Sequence, residues 1–387
     1  MGLKYLYVPS GYKAGTAYGV LPNAANADFA FVRGSAATRV NADGLIQSEI
    51  TNVPRLDYTD GTCPTLLTEP ASTNLLHNSG WEGGGALPTD WSYGNSDGTS
   101  TPVISTRGTI IKAYRFQTSS ARHSFNRNTT SVSGTTYTLS VYVESITGSS
   151  QFNSILYRIG GGGTDIFKKD GVVVSSTEGV VAGSFYSITF TSNTVQTIEF
   201  RVGLGVVGDV TGDVTISQPQ LETLAYRTSF MISSIGAIAT RSADTGVISG
   251  DLSSYINSSE GVLEIKAKAL FNGGNDCRIT LSDGTNDNRV GLIWFSSPNN
   301  TSVIVQKDAT TVVNPNLNID QTLMTTFKIK WKSGDIQVKV NGTVVFTDTS
   351  TFSELILDQL SFSKGTETNF FQGNVQYIKV YDSATDF

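Results

Sequence analysis

The sequence predicts an all-β protein built as two antiparallel β-sandwich modules that follow an irregular N-terminal arm. Three observations carry that expectation. The 387 residues are only 16% charged and are rich in Gly, Ser, Thr and Asn between short Val/Ile/Phe/Tyr runs, the profile of many short strands joined by turns. Long stretches rich in Ala, Leu, Glu and Lys, which helices favour, are missing. In several runs apolar residues recur at every second position, so that one side of each strand is buried and the other wet. A chain of this length carries two or three domains as its natural prior, each well above the roughly 40 residues below which disulfide or metal staples are needed.

Residues 1–75 read as the arm. Pro, Gly and Asn recur, and apolar residues come in bursts: Phe29 to Val32, Leu45-Ile46 and Leu66-Leu67. Such a segment has little core of its own and is expected to lie across another subunit or domain as an anchoring region. Deleting it is expected to leave soluble β-modules.

The first sandwich is expected over residues 76–225. Tyr137, Leu139, Val141 and Val143 alternate with largely polar neighbours, as do Tyr186, Ile188 and Phe190, and again Ile198, Phe200 and Val202. Turn signals at Ser133-Gly134, Gly160 to Gly163 and Asp170-Gly171 separate the runs. Residues 226–250 show little periodicity and form a connector.

The second sandwich follows over residues 251–387. Leu263, Ile265, Ala267 and Ala269 alternate with Glu264, Lys266 and Lys268, and Phe327, Ile329 and Trp331 with Lys328, Lys330 and Lys332. Between Ile336–Val340 and Thr343–Phe346 stands Asn341-Gly342, a pair that accepts the two positive φ angles of a type I′ turn and predicts a tight hairpin. One echo joins distant segments: Ala37 to Gly44 (ATRVNADG) returns loosely as Ala239 to Gly246 (ATRSADTG). A single pair is no repeat architecture, and both shared docking of two connectors and coincidence stay open.

The formal net charge of −6 repels a phosphate backbone, and no basic stripe reverses it locally, so nucleic acid is not expected as a partner. No basic amphipathic helix and no apolar run near the roughly 20 residues that span a bilayer points to membrane insertion. Cys63 and Cys277 lie far apart and are read as free, half-buried thiols in different modules rather than as a disulfide framework. The opening MGLKYLYVPS has no apolar h-region, so no secretory signal is expected.

Several short segments resemble bacteriophage tail-fibre and spike proteins, in which such segments look like joints flanking lectin-like modules. They are Ala37 to Ile46 (ATRVNADGLI), Asn52 to Tyr58 (NVPRLDY), Cys63 to Pro70 (CPTLLTEP) with Thr73 to Leu76 (TNLL), and Pro219 to Glu222 (PQLE) with Tyr226 to Phe230 (YRTSF) and Ala239 to Arg241 (ATR). Residues 74–222 are similar to jelly-roll carbohydrate-binding modules, on Asn74-Leu75-Leu76 to Gly80-Trp81-Glu82 and on Leu87 to Trp91. That likeness implies a structural calcium held by an early acidic residue and a late Asp, by position Glu82 and Asp213. Residues 251–387 resemble the concanavalin A-like, laminin-G-type sandwich, through Glu260-Gly261, the meander from Phe327 through Asn341-Gly342, and the closing Gly373 to Asp382.

Catalytic chemistry finds little to stand on. The two histidines, His77 and His123, sit in no metal-ligand spacing, no GxSxG elbow occurs, and Gly160 to Gly163 lacks the Lys-Ser/Thr of a phosphate loop. Glycanases of the concanavalin A-like fold carry three alternating acids on one strand, whereas Glu264 here is followed by lysines; the chain is therefore expected not to be an enzyme. Binding asks for aromatic rings that pack on sugar C–H faces beside amides and carboxylates that bond hydroxyls. Trp81, Trp91, Tyr93, Asn95 and Asp97 fit that description, with the competing reading that both tryptophans are core residues. Asp276, Asp283, Asn286, Asp287 and Asn288 crowd two loops and offer oxygens for calcium, Asp283 and Asp287 foremost, or simply satisfy turns.

The expected function is therefore that of a virion surface protein, a tail fibre or spike made in the host cytoplasm. It is expected to be homotrimeric, to join other virion proteins through its arm and to bind host surface polysaccharide. A purely structural capsid spike, head fibre or decoration protein is the alternative, and a polysaccharide depolymerase the third reading.

Overall fold

The computed structural model describes residues 2–387. It is all-β, with antiparallel sheets throughout and only three single-turn 3-10 helices among the described residues. The chain divides into two compact units, one of Met1–Asp43, Glu49–Pro70 and Ser242–Phe387, the other of Gly44–Ser48 and Ala71–Arg241.

In the first unit an eight-stranded sheet runs Thr343–Asp348, Ile336–Val340, Thr325–Lys332, Glu260–Ala269, Gly373–Tyr381, Thr65–Thr68, Arg55–Asp57, with Leu3–Tyr7 also paired to Gly373–Tyr381. A nine-stranded sheet faces it: Tyr12–Lys13, Thr16–Ala17, Phe29–Val32, Thr245–Ser249, Gln359–Ser361, Cys277–Ser282, Arg289–Trp294, Thr301–Lys307, Thr310–Val313. The alternation decides which side chains lie between the sheets. Leu263, Ile265 and Ala267 meet Phe327, Ile329 and Trp331 there, all essentially without exposed surface. Asn341 and Gly342 adopt φ of 48° and 87°, and Val340 pairs with Thr343, the tight hairpin that the sequence predicts. Gly261 has a different job: a Cβ there would collide with the Trp331 indole and the Tyr381 carbonyl, so only glycine lets the ring close over the strand.

The expectation of a separate arm over residues 1–75 is corrected here. Leu3–Tyr7 covers one half of the outer edge of Gly373–Tyr381, Tyr7 opposite Ile378, and Thr65–Thr68 covers the other half, Thr68 opposite Gly373. Tyr5, Tyr7, Phe29, Phe31 and Leu66 are buried in the same core as Leu263 and Trp331. Phe29 meets Tyr7 and Phe362 edge-on, each at 5.0 Å. The physical reason is the edge itself: without these strands Gly373–Tyr381 would present unpaired N–H and C=O groups above a long apolar face. The bursts at Phe29 to Val32 and at Leu66, which look coreless in sequence, complete a core supplied mostly from some 200 residues downstream. Cys63 and Cys277 accordingly belong to one unit, the first exposed and the second buried, and burial pushes the Cys277 thiol up to about 12.

The second unit is a sandwich of a seven-stranded sheet and a four-stranded sheet. The larger runs Thr99–Ile104, Lys112–Ala121, Val210–Glu222, Thr136–Thr147, Ser184–Thr191, Ile166–Lys169, Val172–Val173. The smaller runs Ser92–Ser96, His123–Thr130, Thr197–Leu204, Leu156–Ile159. Leu139, Val141 and Val143, Tyr186 and Ile188, and Ile198, Phe200 and Val202 all lie at 0% exposure in its core. His123 lies at the rim of this core, 2% exposed, its Nε2 2.8 Å from Ser100 Oγ and its Nδ1 buried without a partner.

Two outcomes are expected from this architecture. Phe29→Ala should lower the unfolding free energy by roughly 3–5 kcal/mol in urea titration, the usual cost of emptying a buried aromatic site, and a 76–387 fragment should fail to fold cooperatively. A soluble, cooperatively unfolding fragment would refute the shared core. Burial, opposed in part by Asp97, holds His123 below its ordinary value of 6.5, so the unfolded chain takes up a proton that the folded chain refuses. Stability present above pH 6.5 is then lost as pH falls from there through the depressed folded value. Thermal melts from pH 7.5 downward should show that loss in the wild type and a smaller one in His123→Gln.

Candidate functional site

Both tryptophans named from the sequence as sugar platforms are core residues. Trp81 is 1% and Trp91 4% exposed, crossing edge-on at 5.8 Å, with Tyr114 against Trp81 at 5.3 Å and Phe200 against Trp91 at 6.0 Å. No ring face is left for a ligand. The loop that carries them is braced by Asn78, in left-handed conformation at φ 52°. Its side chain accepts from Glu82 N at 2.7 Å and donates to the Glu82 and Thr89 carbonyls, while its own carbonyl accepts from Trp91 Nε1 at 3.0 Å. Tyr93, opposite Phe125 in register, leans on the core edge beside His123, with centroids 5.3 Å apart, and is 41% exposed. Asp97 is exposed, with its backbone N–H on the Arg122 carbonyl.

Asn95 leads somewhere else. In an antiparallel sheet, residues opposite one another share a face. Phe125, Phe200 and Leu156 point inward in the four-stranded sheet, so the residues alternating with them point out. Register then builds a row across all four strands: Ser92 beside Asn126, Asn126 beside Arg201, Arg201 beside Tyr157. A flanking row holds Asn128, Glu199 and Ile159, and on the other side Asn95 stands opposite Ser124 and Ser124 opposite Gly203. Glu199 Oε1 accepts from Asn126 Nδ2 at 3.1 Å and from Arg201 Nε at 2.5 Å, which fixes both planar groups.

What distinguishes this face is unmet polar valence. Asn95 Oδ1, Ser124 Oγ and Asn126 Oδ1 are buried and have no hydrogen-bond partner. A buried polar atom left unpaired costs about 1–3 kcal/mol, and three stand together on this face. A depression of about 190 Å³ at its end is lined by Asp90, Ser92, Asn126, Arg127 and Asn128. Gly94 keeps the floor clear, since a Cβ there would stand 2.7 Å from Ser124 Oγ. Of these residues the sequence reading reached only Asn95. The others fall on the polar parity of their strands, indistinguishable one by one from solvated positions.

Two of the four acidic candidates, Asp213 and Asp283, are committed to protein partners. Asp213 is paired with Arg115 at 2.6 Å, and that hydrogen bond holds its carboxyl below the usual range. Asp283 accepts from Thr285 N at 2.9 Å, from Thr285 Oγ1 at 2.6 Å and from Asn288 Nδ2 at 2.8 Å, closing its own turn. Asp287 is exposed; Glu82 contributes its backbone to the Asn78 brace. Among the described residues no three His, Cys, Asp or Glu side chains gather as a metal site, so neither pair named from the sequence is drawn into such a set.

The segments that resemble virion joints turn into buried polar lattices. In the first unit Asp244 binds Arg33 at 3.1 Å and also Arg55, which binds Glu69. In the second unit the Glu222 carboxylate accepts from Ser72 Oγ at 2.7 Å, Gln220 Nε2 at 2.6 Å and Thr228 N at 3.0 Å. Burial pushes Glu222 up, and the Thr228 and Ser72 bonds and nearby Arg241 pull against it. Asn74 Oδ1 accepts from Leu76 N and Leu221 N. These motifs hold the fold.

No family model matches the chain, and no curated protein matches it. Among solved structures, a Bacteroides ovatus ATCC 8483 protein described provisionally as carbohydrate-binding is similar over 68% of this chain and 77% of its own, at 13% identity and a TM-score of 0.26.

Proposed function

We propose that the chain is a bacteriophage virion surface protein that attaches to host-surface glycans, and that the outer face of the four-stranded sheet is its sugar-binding surface. The observation that carries the binding half is the Ser92–Asn126–Arg201–Tyr157 row with its three unpaired buried polar atoms. A pyranose presents C–H patches that pack on a ring such as Tyr157, and hydroxyl pairs that suit planar amide, guanidinium and carboxylate groups. Fixed planar groups bind with little loss of side-chain entropy. Glu199 is already bonded by Asn126 and Arg201, an arrangement suited to accepting hydroxyl protons rather than to the paired-carboxyl chemistry of hydrolysis.

The virion half of the proposal is supported by the resemblance of the joint segments to those of tail-fibre and spike proteins. Homotrimeric assembly and a place on the particle surface belong to the same proposal. Calcium is not needed by it, because Asp213 and Asp283 already have their partners.

A glycan array probed with the full chain, followed by calorimetry on the best ligand, tests this reading. Arg201→Ala and Tyr157→Ala should each weaken binding about tenfold, the cost of one central contact, while the melting temperature stays near that of the wild type. Binding untouched by both substitutions would move the site elsewhere. An array with no specific ligand would favour the purely structural spike or decoration role, and reducing-end release from host polysaccharide would favour a depolymerase. Immunogold labelling of phage particles checks the virion assignment separately.

A further inference from the structure

The depression at the end of the four-stranded sheet is made by two strands of unequal length. Ser92–Ser96 pairs with His123–Thr130 only from Ser96 opposite His123 to Ser92 opposite Asn126. Beyond Asn126 no strand covers the same edge, and a notch of about 190 Å³ opens there. The chain leaves the sheet through Trp91, buried in the core, and through Asp90, held in left-handed conformation at φ 68°, a region that Asp enters more readily than most residues. The Asp90 carbonyl accepts from Arg127 Nη1, and its carboxylate oxygen Oδ2 accepts from Gly236 N at 2.5 Å. These bonds fix the turn that walls the notch.

All five lining residues, Asp90, Ser92, Asn126, Arg127 and Asn128, are polar. No ring or aliphatic side chain is offered, so a ligand is held there through its hydroxyls rather than by stacking a C–H face. The volume falls below the roughly 300–1,000 Å³ of sites that enclose drug-sized molecules, which suits one sugar residue. Ser92 and Asn128 are exposed. Among the described residues, neither Asp90 nor Arg127 takes part in an ion pair, and the Arg127 side chain bonds only the Asp90 carbonyl. Glu199, opposite Asn128, is already matched by Arg201 at 2.5 Å. One carboxylate and one guanidinium thus line a small space without pairing. A hydroxyl group suits both, donating to one and accepting from the other. A sugar carboxylate would gain Arg127 and be repelled by Asp90.

We infer that this notch takes the terminal residue of a neutral glycan, a hexose without carboxylate or sulfate, and that Asp90 and Arg127 set that preference. Asp90 Oδ1, which bonds no protein donor, accepts from a hydroxyl, while Arg127 and Asn128 donate to neighbouring hydroxyl oxygens, the charged groups making the stronger bonds. The site depends on the sugar face proposed above, because Ser92 and Asn126 belong to both. A glycan with its end in the notch continues along the row over Arg201 and Tyr157.

The test uses the full chain in ligand-observed NMR titrations, with the methyl glycosides of glucose, galactose and mannose as neutral probes and sodium glucuronate as the acidic one. At least one neutral glycoside should bind the wild type more tightly than glucuronate does. Asp90→Asn should weaken that glycoside about tenfold, the loss of a charge-assisted bond, and Asn128→Ala about fivefold, the loss of a neutral one. Asn at position 90 keeps an oxygen for Gly236 N, and Asn128 is exposed, so both variants should melt near the wild type. Asp90→Asn should also narrow the preference over glucuronate, because the repelling charge is gone while Arg127 remains; a purely structural Asp90 would leave that preference unmoved. Glucuronate binding the wild type at least as tightly, a glycoside response undiminished in both variants, or a preference unchanged by Asp90→Asn overturns the notch. Silence from every probe overturns it too. If a longer glycan on the array then still depends on Arg201 and Tyr157, the sugar face survives; if the array is silent as well, both fall.

Discussion

Asp244 carries a carboxylate with no exposed surface, and much of the first unit is arranged around neutralising it. Arg33 and Arg55 both reach it, Arg55 also binds Glu69, and the backbone N–H groups of Glu69 and Asp244 bond across to the Asp244 carboxylate and the Glu69 carbonyl. The two acids raise the proton affinity of Arg55 against its own burial, and the cluster matches two arginines with two acids. Removing one partner from such a buried set typically costs about 3–5 kcal/mol, because a charge is left uncompensated. The participants stand at positions 33, 55, 69 and 244. One electrostatic requirement thus binds the leader to the C-terminal strands and makes them a single folding unit, reinforced by Tyr7 and Phe29 in the shared core.

The same accounting sorts other buried polar groups by whether their hydrogen bonds are met. The Glu222 lattice uses Ser72, Gln220 and Thr228, and Asn78 spends its side chain on the loop between Trp81 and Trp91. These residues are buried and satisfied, which is what a fold requires of them. Asn95, Ser124 and Asn126 in one sandwich, and the Nε atoms of Arg278 and Arg289 in the other, are buried and unsatisfied. They lie on sheet faces turned away from the apolar cores.

Sequence periodicity was enough for the fold class. Alternation at Tyr137 to Val143 or Phe327 to Trp331 is a property of neighbouring residues, and the Asn341-Gly342 turn depends on two backbone angles that few other pairs accept. The same local view misjudged the tryptophans. Trp81 and Trp91 stand among glycines and polar residues, and nothing nearby in the chain reveals that Tyr114, Phe125 and Phe200 close over them. It also misjudged the leader, whose bursts at Phe29 and Leu66 look isolated until the strands at 247–281 and 373–380 arrive.

The candidate sites lay further still from a local reading. Of the proposed sugar face, Asn95 alone was singled out, because Asn126, Arg201, Glu199 and Tyr157 occupy ordinary wet positions spread over three other strands. By itself the sequence determined which positions of each strand face inward, where the tight hairpin turns, and that the charge balance is acidic, since each depends on residues close together or on composition. Only the tertiary structure decided which strands are neighbours. Pairing register places side chains from distant segments on one face, and no local property of the chain encodes it.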